Sequence, residues 1–80
     1  NYPNPFNPAT TISFSLPKSG YVSLKVYNAL AQEVATLVNG VKEAGNHRID
    51  FNAVNLNSGI YFYKLETGDI SQVKKMTLIK

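Results

Sequence analysis

One histidine and five carboxylates are the side chains of this 80-residue chain most suited to catalysis, and their spacing builds no catalytic site. The acids are spread along the chain: Glu33, Glu43, Asp50, Glu66 and Asp69. General acid–base catalysis needs two carboxylates held close together, or a histidine whose pKa is tuned by its surroundings. His47 follows a glycine-containing turn at the start of a predicted strand. We therefore expect an exposed histidine at a strand end, and no enzyme.

Metal and phosphate sites also find little support in the sequence. The chain has no cysteine. Three asparagines follow Asp50, namely Asn52, Asn55 and Asn57. Their amide oxygens can bind calcium, but asparagine in a loop more often makes turn hydrogen bonds. The five glycines are separated along the chain, one to a predicted turn, so they form no phosphate-binding loop. We expect neither a metal nor a cofactor.

Tyrosines and a lysine pair are the remaining candidates for binding. Four tyrosines in predicted strands can stack on sugar rings or pack within a sheet: Tyr21, Tyr27, Tyr61 and Tyr63. The strand preference of tyrosine favours packing. The adjacent Lys74 and Lys75 can meet an acidic partner or a lipid headgroup, or can form a solvated strand face that discourages aggregation. Composition alone favours the solvated face.

Charge and hydropathy exclude two broad classes of partner. The net charge is +3, from eight basic and five acidic residues. Apart from the pair at 74 and 75 the lysines are dispersed, whereas proteins that bind nucleic acid usually cluster basic residues on one face. No apolar run approaches the ~18–20 residues that cross a bilayer. We expect no nucleic-acid partner and no membrane insertion.

Alternation of apolar and polar residues predicts an all-β chain. The predicted strands are 11–16, 21–27, 33–38, 47–52, 60–66 and 71–79, with 41–43 as an optional short edge strand. The first two are expected to form an antiparallel hairpin, and Asn39-Gly40 is a strong turn signal. Six or seven short strands in 80 residues indicate one small antiparallel β-sandwich, Ig-like in architecture.

The last predicted strand departs from simple alternation. Val73 and Met76 are three positions apart, with Lys74 and Lys75 between them. A β-bulge at the lysines would bring Val73, Met76 and Leu78 to one face. We therefore expect a bulge in this strand.

The opening residues differ from the rest of the chain. Pro3, Pro5 and Pro8 each lack a backbone donor and hold φ near −65°, so residues 1–9 are expected to be a stiff, extended lead-in to a sandwich at 10–80. The chain has no start methionine and no signal-peptide pattern. We expect a module appended to a larger protein.

An ordered set of short motifs makes the chain recognisable. They are Tyr2-Pro3-Asn4-Pro5-Phe6-Asn7-Pro8, Thr11-Ile12-Ser13-Phe14, Val26-Tyr27-Asn28, Ser58-Gly59-Ile60-Tyr61-Phe62-Tyr63 with Leu65, and Lys74-Lys75-Met76. Together they resemble the type A C-terminal sorting domain of the type IX secretion system, found on exported proteins of Bacteroidetes and related bacteria. The pattern is also similar to the Ig-like domain of flagellar hook-capping proteins. One departure is Ala31, where family members usually carry glycine; a positive φ there would strain the alanine by roughly 1 kcal/mol or more.

The resemblance implies an address label and not an enzyme. A cargo domain upstream would pass through the periplasm, and the outer-membrane translocon would recognise the C-terminal domain. A sorting peptidase commonly cleaves the domain, and the cargo is secreted or attached to the cell surface. The family places recognition in the last strands, which here contain Gly68, Lys74, Lys75 and Met76.

Two further expectations accompany this interpretation. Tyr2 and Phe6 are large apolar groups in the lead-in, so we expect them to dock against the sandwich at the boundary with the cargo. The alternative function is an Ig-like accessory module of a secreted hydrolase, which binds carbohydrate through the tyrosine-rich strand 60–65 or serves as a spacer.

Overall fold

Six β-strands in two antiparallel sheets make up the computed structural model, which describes residues 8–68 and 70–79. The strands are β1 (Ala9–Leu16), β2 (Gly20–Asn28), β3 (Glu33–Lys42), β4 (Gly45–Asn52), β5 (Gly59–Glu66) and β6 (Ser71–Leu78). One sheet has the order β1-β4 and the other β3-β2-β5-β6. A search of these residues finds no helix able to cross a membrane. The prediction of a small, all-β antiparallel sandwich with six to seven strands is confirmed.

Alternating residues from both sheets form one hydrophobic core. Ile12 on β1 and the neighbouring β2 residues Val22, Leu24 and Val26 are each at most 1% exposed. The other buried apolar residues are Phe14, Leu16, Val38, Phe51, Ala53, Tyr61, Tyr63, Leu65, Met76 and Leu78. Because side chains on a strand point alternately to its two faces, the period-two pattern identifies which face is buried.

The predicted pairing of the first two strands is wrong. β1 pairs with β4, from Ala9 opposite Asn52 to Leu16 opposite Gly45, whereas β2 pairs with β3 and β5. The chain therefore crosses from one sheet to the other between Leu16 and Gly20. Alternation reveals the buried face of each strand and carries no information about its neighbour, so two amphipathic strands in sequence can face each other across a core.

The predicted turn at Asn39-Gly40 is also wrong. β3 runs without interruption from Glu33 to Lys42, and Asn39 and Gly40 lie opposite Ser23 and Val22 of β2. The optional strand 41–43 is thus the end of β3. The chain turns instead at residues 43–44, just before Gly45, which has a φ of +124° and opens β4. The backbone bonds to β2 outweigh the local turn preference of Asn-Gly.

A compact turn joins β2 to β3 and is organised by Asn28. Its Oδ1 accepts hydrogen bonds from the amides of Leu30 and Gln32 at 2.9 and 3.0 Å, and its Nδ2 donates to Gln32 Oε1. The backbone amide of Ala31 donates to the Asn28 carbonyl at 3.0 Å. Ala31 has a φ of +63°, in the left-handed region that favours glycine. The strain expected at this alanine is therefore present.

Candidate functional site

Strand β6 carries three of the four predicted recognition residues. It is one of the two edge strands of the four-stranded sheet. It pairs antiparallel with β5, from Glu66 opposite Ser71 to Gly59 opposite Leu78. No strand pairs with its other edge in the described part of the chain. In an antiparallel pair, alternate residues direct their N–H and C=O groups away from the partner. The outer edge of β6 therefore presents backbone donors and acceptors to which another strand can add.

The predicted bulge at Lys74 and Lys75 is wrong. The β5–β6 register is continuous, and the irregularities of this sheet lie in the β2–β3 pair, between Leu24 and Lys25 and between Val26 and Tyr27. Strict alternation puts Lys74 on the same side as Met76 and Leu78, and Val73 on the opposite, outer side, where it is 60% exposed. A bulge would be needed only if the core covered the whole strand. The core covers only the second half of β6, so a lysine is tolerated on the core side of the first half.

The four predicted recognition residues do not form one surface. Met76 is fully buried in the core. Lys74 is exposed on the core side of the sheet, whereas Lys75 is exposed on the outer side opposite Phe62. Gly68 lies in the β5–β6 turn, beside the hydrogen bond from the Thr67 amide to the Ile70 carbonyl at 2.8 Å. A partner that contacts the folded domain can reach both lysines, but it cannot touch Met76.

Buried residues of β5 and β6 hold the edge strand in place. Leu78 is 1% exposed, and the β5 residues Tyr61 and Tyr63, which lie opposite Met76 and Lys74, are 7% exposed. The Tyr61 hydroxyl donates to the Asn57 carbonyl at 2.7 Å. Burial raises the pKa of the Tyr63 hydroxyl above its ordinary value, because the charged phenolate is poorly solvated there. Both tyrosines thus pack within the sandwich and present no flat aromatic platform to solvent.

The outer face beside Lys75 combines aromatic side chains with ion pairs. Tyr27 lies opposite Phe62, and both are half-buried. Lys25 lies directly opposite Lys64, and this repulsion is offset by contacts of Lys25 with Glu33 at 3.4 Å and of Lys64 with Glu66 at 3.7 Å. The hydrogen bond to Glu33 and its charge raise the pKa of Lys25. These exposed ion pairs contribute little stability.

His47 is less exposed than the sequence suggests. Its ring is half-buried and stacks on Phe14 of β1, with centroids 5.2 Å apart and an interplanar angle of 24°. Its Nε2 donates to the Glu43 carbonyl at 2.7 Å. The imidazole therefore helps to pack β4 on β1 and to close the turn before β4.

The asparagine-rich loop after β4 serves turn formation. The Oδ1 of Asn52 accepts from the Val54 amide at 3.0 Å, as in an Asx turn. Within residues 8–68 and 70–79, no three His, Asp or Glu side chains converge as metal ligands would. The amide of Ala53 donates to the Pro8 carbonyl at 2.8 Å, which ties the end of the lead-in to this loop. Tyr2 and Phe6, the predicted docking residues, lie outside the described residues.

The comparison with protein families agrees with the sequence motifs. The family model described as the secretion system C-terminal sorting domain matches residues 1–80. No curated protein matches the chain. The match spans the whole sandwich, including the edge strand β6. The chain belongs to this family, and it is a C-terminal sorting domain of the type IX secretion system, carried by secreted or cell-surface proteins.

Proposed function

We propose that the domain directs an attached cargo out of the cell by offering strand β6 to the outer-membrane translocon of the type IX system. The supporting observation is the open edge of β6 in a domain whose family consists of sorting signals. An edge strand binds a partner sheet through its backbone, and its side chains provide specificity. The strand is already extended in the folded domain, so little ordering is required on binding.

In this proposal the four recognition residues have different roles. Lys74 and Lys75 flank the edge on opposite faces and increase the rate of association with an acidic partner. Met76 and Gly68 act indirectly, since Met76 anchors the strand in the core and Gly68 lies in the turn that starts it. Loss of Met76 would therefore impair recognition by loosening β6.

The proposal includes the route and the domain organisation. The cargo and its sorting domain pass through the periplasm before the translocon acts, and a sorting peptidase then removes the domain. Residues 1–9 act as the lead-in and 10–80 as the sandwich of one unit, which is itself not an enzyme. Tyr2 and Phe6 dock at the boundary with the cargo; support comes from the contact between Pro8 and Ala53, which already ties the lead-in to the sandwich.

The alternative role in carbohydrate binding has weaker support. It relied on the tyrosine-rich strand 60–65 as a stacking platform, and Tyr61 and Tyr63 are buried. Tyr21 is the most exposed tyrosine of the described residues, but it lies opposite Val41 near the far edge of the sheet. No second function is proposed.

Charge-neutralising substitutions test the proposed roles of the lysines. A reporter that is fused ahead of residues 1–80 and sent to the periplasm of a type IX-competent host is assayed outside the cell over time. We expect the double variant Lys74→Gln, Lys75→Gln to slow export roughly threefold or more. The single variants Lys74→Gln and Lys75→Gln are each compared with Lys42→Gln, the matched control that removes one charge from β3, at the opposite edge of the sheet. Export of the single and double variants at the rate of this control, with melting temperatures unchanged, would refute the roles of the lysines.

A further inference from the structure

The four-stranded sheet is wider than the two-stranded sheet that covers it, and part of its core-facing surface is open. Gln72 and Lys74 lie on the same side of β6 as the buried Met76 and Leu78, yet both are exposed. A groove of about 660 Å³ lies between this open part and β1. The sandwich is therefore incomplete on this side by about one strand.

Strand β1 forms one wall of the groove. Residues 11–15 line it. Because consecutive side chains of a strand point to opposite faces, side chains from both faces of β1 reach the groove around the free edge of this strand. β1 pairs with β4 and with no other strand in the part of the chain that the structure describes. Alternate peptide groups of β1 therefore point into the groove, where a further strand can accept and donate hydrogen bonds.

Apolar side chains lie at the floor of the groove, but most of them belong to the core and present only a small part of their surface to it. They come from β1, β2, β5 and the residue before β6: Ile12, Phe14, Leu24, Tyr63, Leu65 and Ile70. In an added strand, every second side chain would point towards this floor. The floor thus favours an occupant that carries apolar residues at alternate positions.

Positive charge marks the rim of the groove. Arg48 lies opposite Ser13 in the β1–β4 register and reaches the groove, and Lys74 lies on the other side of it. Neither makes an ion pair with any residue in 8–68 or 70–79, and no described carboxylate lines the groove. Two uncompensated cations beside an apolar floor are complementary to an acidic, partly apolar ligand.

We propose that this groove binds an extended acidic peptide segment of a partner protein, which adds to the open edge of β1 as a third strand. Its apolar residues cover the floor, and its carboxylates meet Arg48 and Lys74. The inference does not rest on the export role, since the added strand would pair with β1 and not with β6; Lys74 is the one residue that the two proposals share.

Charge excludes two other occupants. A second copy of this chain has a net charge of +3, which opposes its approach to two cations. The lead-in of the chain itself, residues 1–8, contains no acidic residue. A partner with alternating acidic and apolar residues satisfies both the floor and the rim.

Peptide binding to the 80-residue chain tests the proposal. The probe is a fluorescein-labelled eight-residue peptide of alternating valine and glutamate, measured by anisotropy at low salt. We expect saturable binding, at least about tenfold tighter than that of the counterpart with lysine in place of glutamate. The double variant Arg48→Gln, Lys74→Gln should weaken binding about tenfold, whereas the control Lys42→Gln should change it less than twofold. If the double variant has a lower melting temperature, Lys74→Gln alone is compared with the control.

A second readout locates the peptide. On binding, the backbone amides of residues 11–15 should shift in NMR spectra and exchange more slowly with solvent, as expected for a newly paired edge. A peptide with proline at alternate positions should not bind, because it cannot pair as a strand. Lack of saturable binding, equal weakening by the double variant and by Lys42→Gln, or shifts confined to β6 would each overturn the proposal. So would binding of the anionic polysaccharide polygalacturonate, with the same dependence on the two cations, in place of the peptide.

Discussion

Ala31 is the one non-glycine residue with a positive φ among the described residues, and it makes a clear prediction at the scale of a single side chain. The left-handed conformation costs an alanine about 1–2 kcal/mol, and glycine avoids most of this cost. We expect Ala31→Gly to raise the free energy of unfolding by about 1 kcal/mol, or the melting temperature by roughly 4–8 °C. Thermal and urea unfolding provide the measurement.

The neighbouring Ala29 provides the control for this substitution. It lies in the same turn and has no positive φ, so Ala29→Gly gains nothing in the folded state and makes the unfolded chain more flexible. It should leave stability unchanged or lower it. If the two glycine variants behave alike, strain at Ala31 is not the cause.

The buried hydroxyl of Tyr63 should make the stability of the domain depend on pH in the alkaline range. Burial raises the pKa of its hydroxyl, so the folded chain keeps this proton after the unfolded chain has lost it near pH 10. The stabilisation is complete below about pH 10 and is lost as the pH rises through the higher pKa of the folded state. Lys25, whose pKa is also raised, adds to this loss in every variant.

Urea unfolding between pH 8 and 11 measures this effect. Tyr63→Phe should flatten the decline of the unfolding midpoint above about pH 10, because it removes one of the titrating groups. Tyr21→Phe, at a tyrosine that is 55% exposed, should follow the wild-type curve. Parallel curves for wild type and Tyr63→Phe would show that burial of Tyr63 does not govern the decline.

At the scale of elements, strand β6 is attached to the sandwich by its second half. Met76 is fully buried, so Met76→Ala should cost about 2–5 kcal/mol, a large share of the stability of so small a domain. Lys75→Gln should change the free energy of unfolding by at most about 0.5 kcal/mol. Thermal unfolding distinguishes the two. An unchanged melting temperature for Met76→Ala would contradict the anchoring role.

Sequence patterns predict which face of each strand is buried better than they predict which strand pairs with it. The apolar positions of the alternating pattern coincide with the buried residues Ile12, Phe14, Val22 and Leu24, because burial is a property of each strand by itself. The pairing of β1 with β4 depends on contacts between residues 29 to 43 positions apart, which leave no local signal.

The two local errors have one physical origin. Asn39-Gly40 favours a turn, and the lysines beside Met76 favour a bulge, when each segment is considered alone. In the folded chain β3 is extended by its bonds to β2, and β6 remains regular because the groove leaves Lys74 in solvent. Both outcomes are set by tertiary contacts. The recognition residues were identified by family resemblance, and their separation onto opposite faces becomes visible only in the register.

At the scale of the whole molecule, the domain combines a small closed core with open strand edges. The two-stranded sheet leaves part of the larger sheet uncovered. β6 ends that larger sheet, and no strand among the described residues pairs with its free edge. Exposed edges favour aggregation, which natural proteins often limit with lysines. In a sorting domain the same edges are available to a receptor, and Lys74 and Lys75 can serve both purposes.

Export of a passenger protein tests the sorting role most directly. A periplasmic reporter is compared with the same reporter fused to residues 1–80, in a type IX-competent host and in a matched host that lacks the translocon. We expect the fused reporter, and not the unfused one, to appear outside the cell, and only in the competent host. Retention of an intact, folded fusion in the periplasm of the competent host would contradict the sorting role.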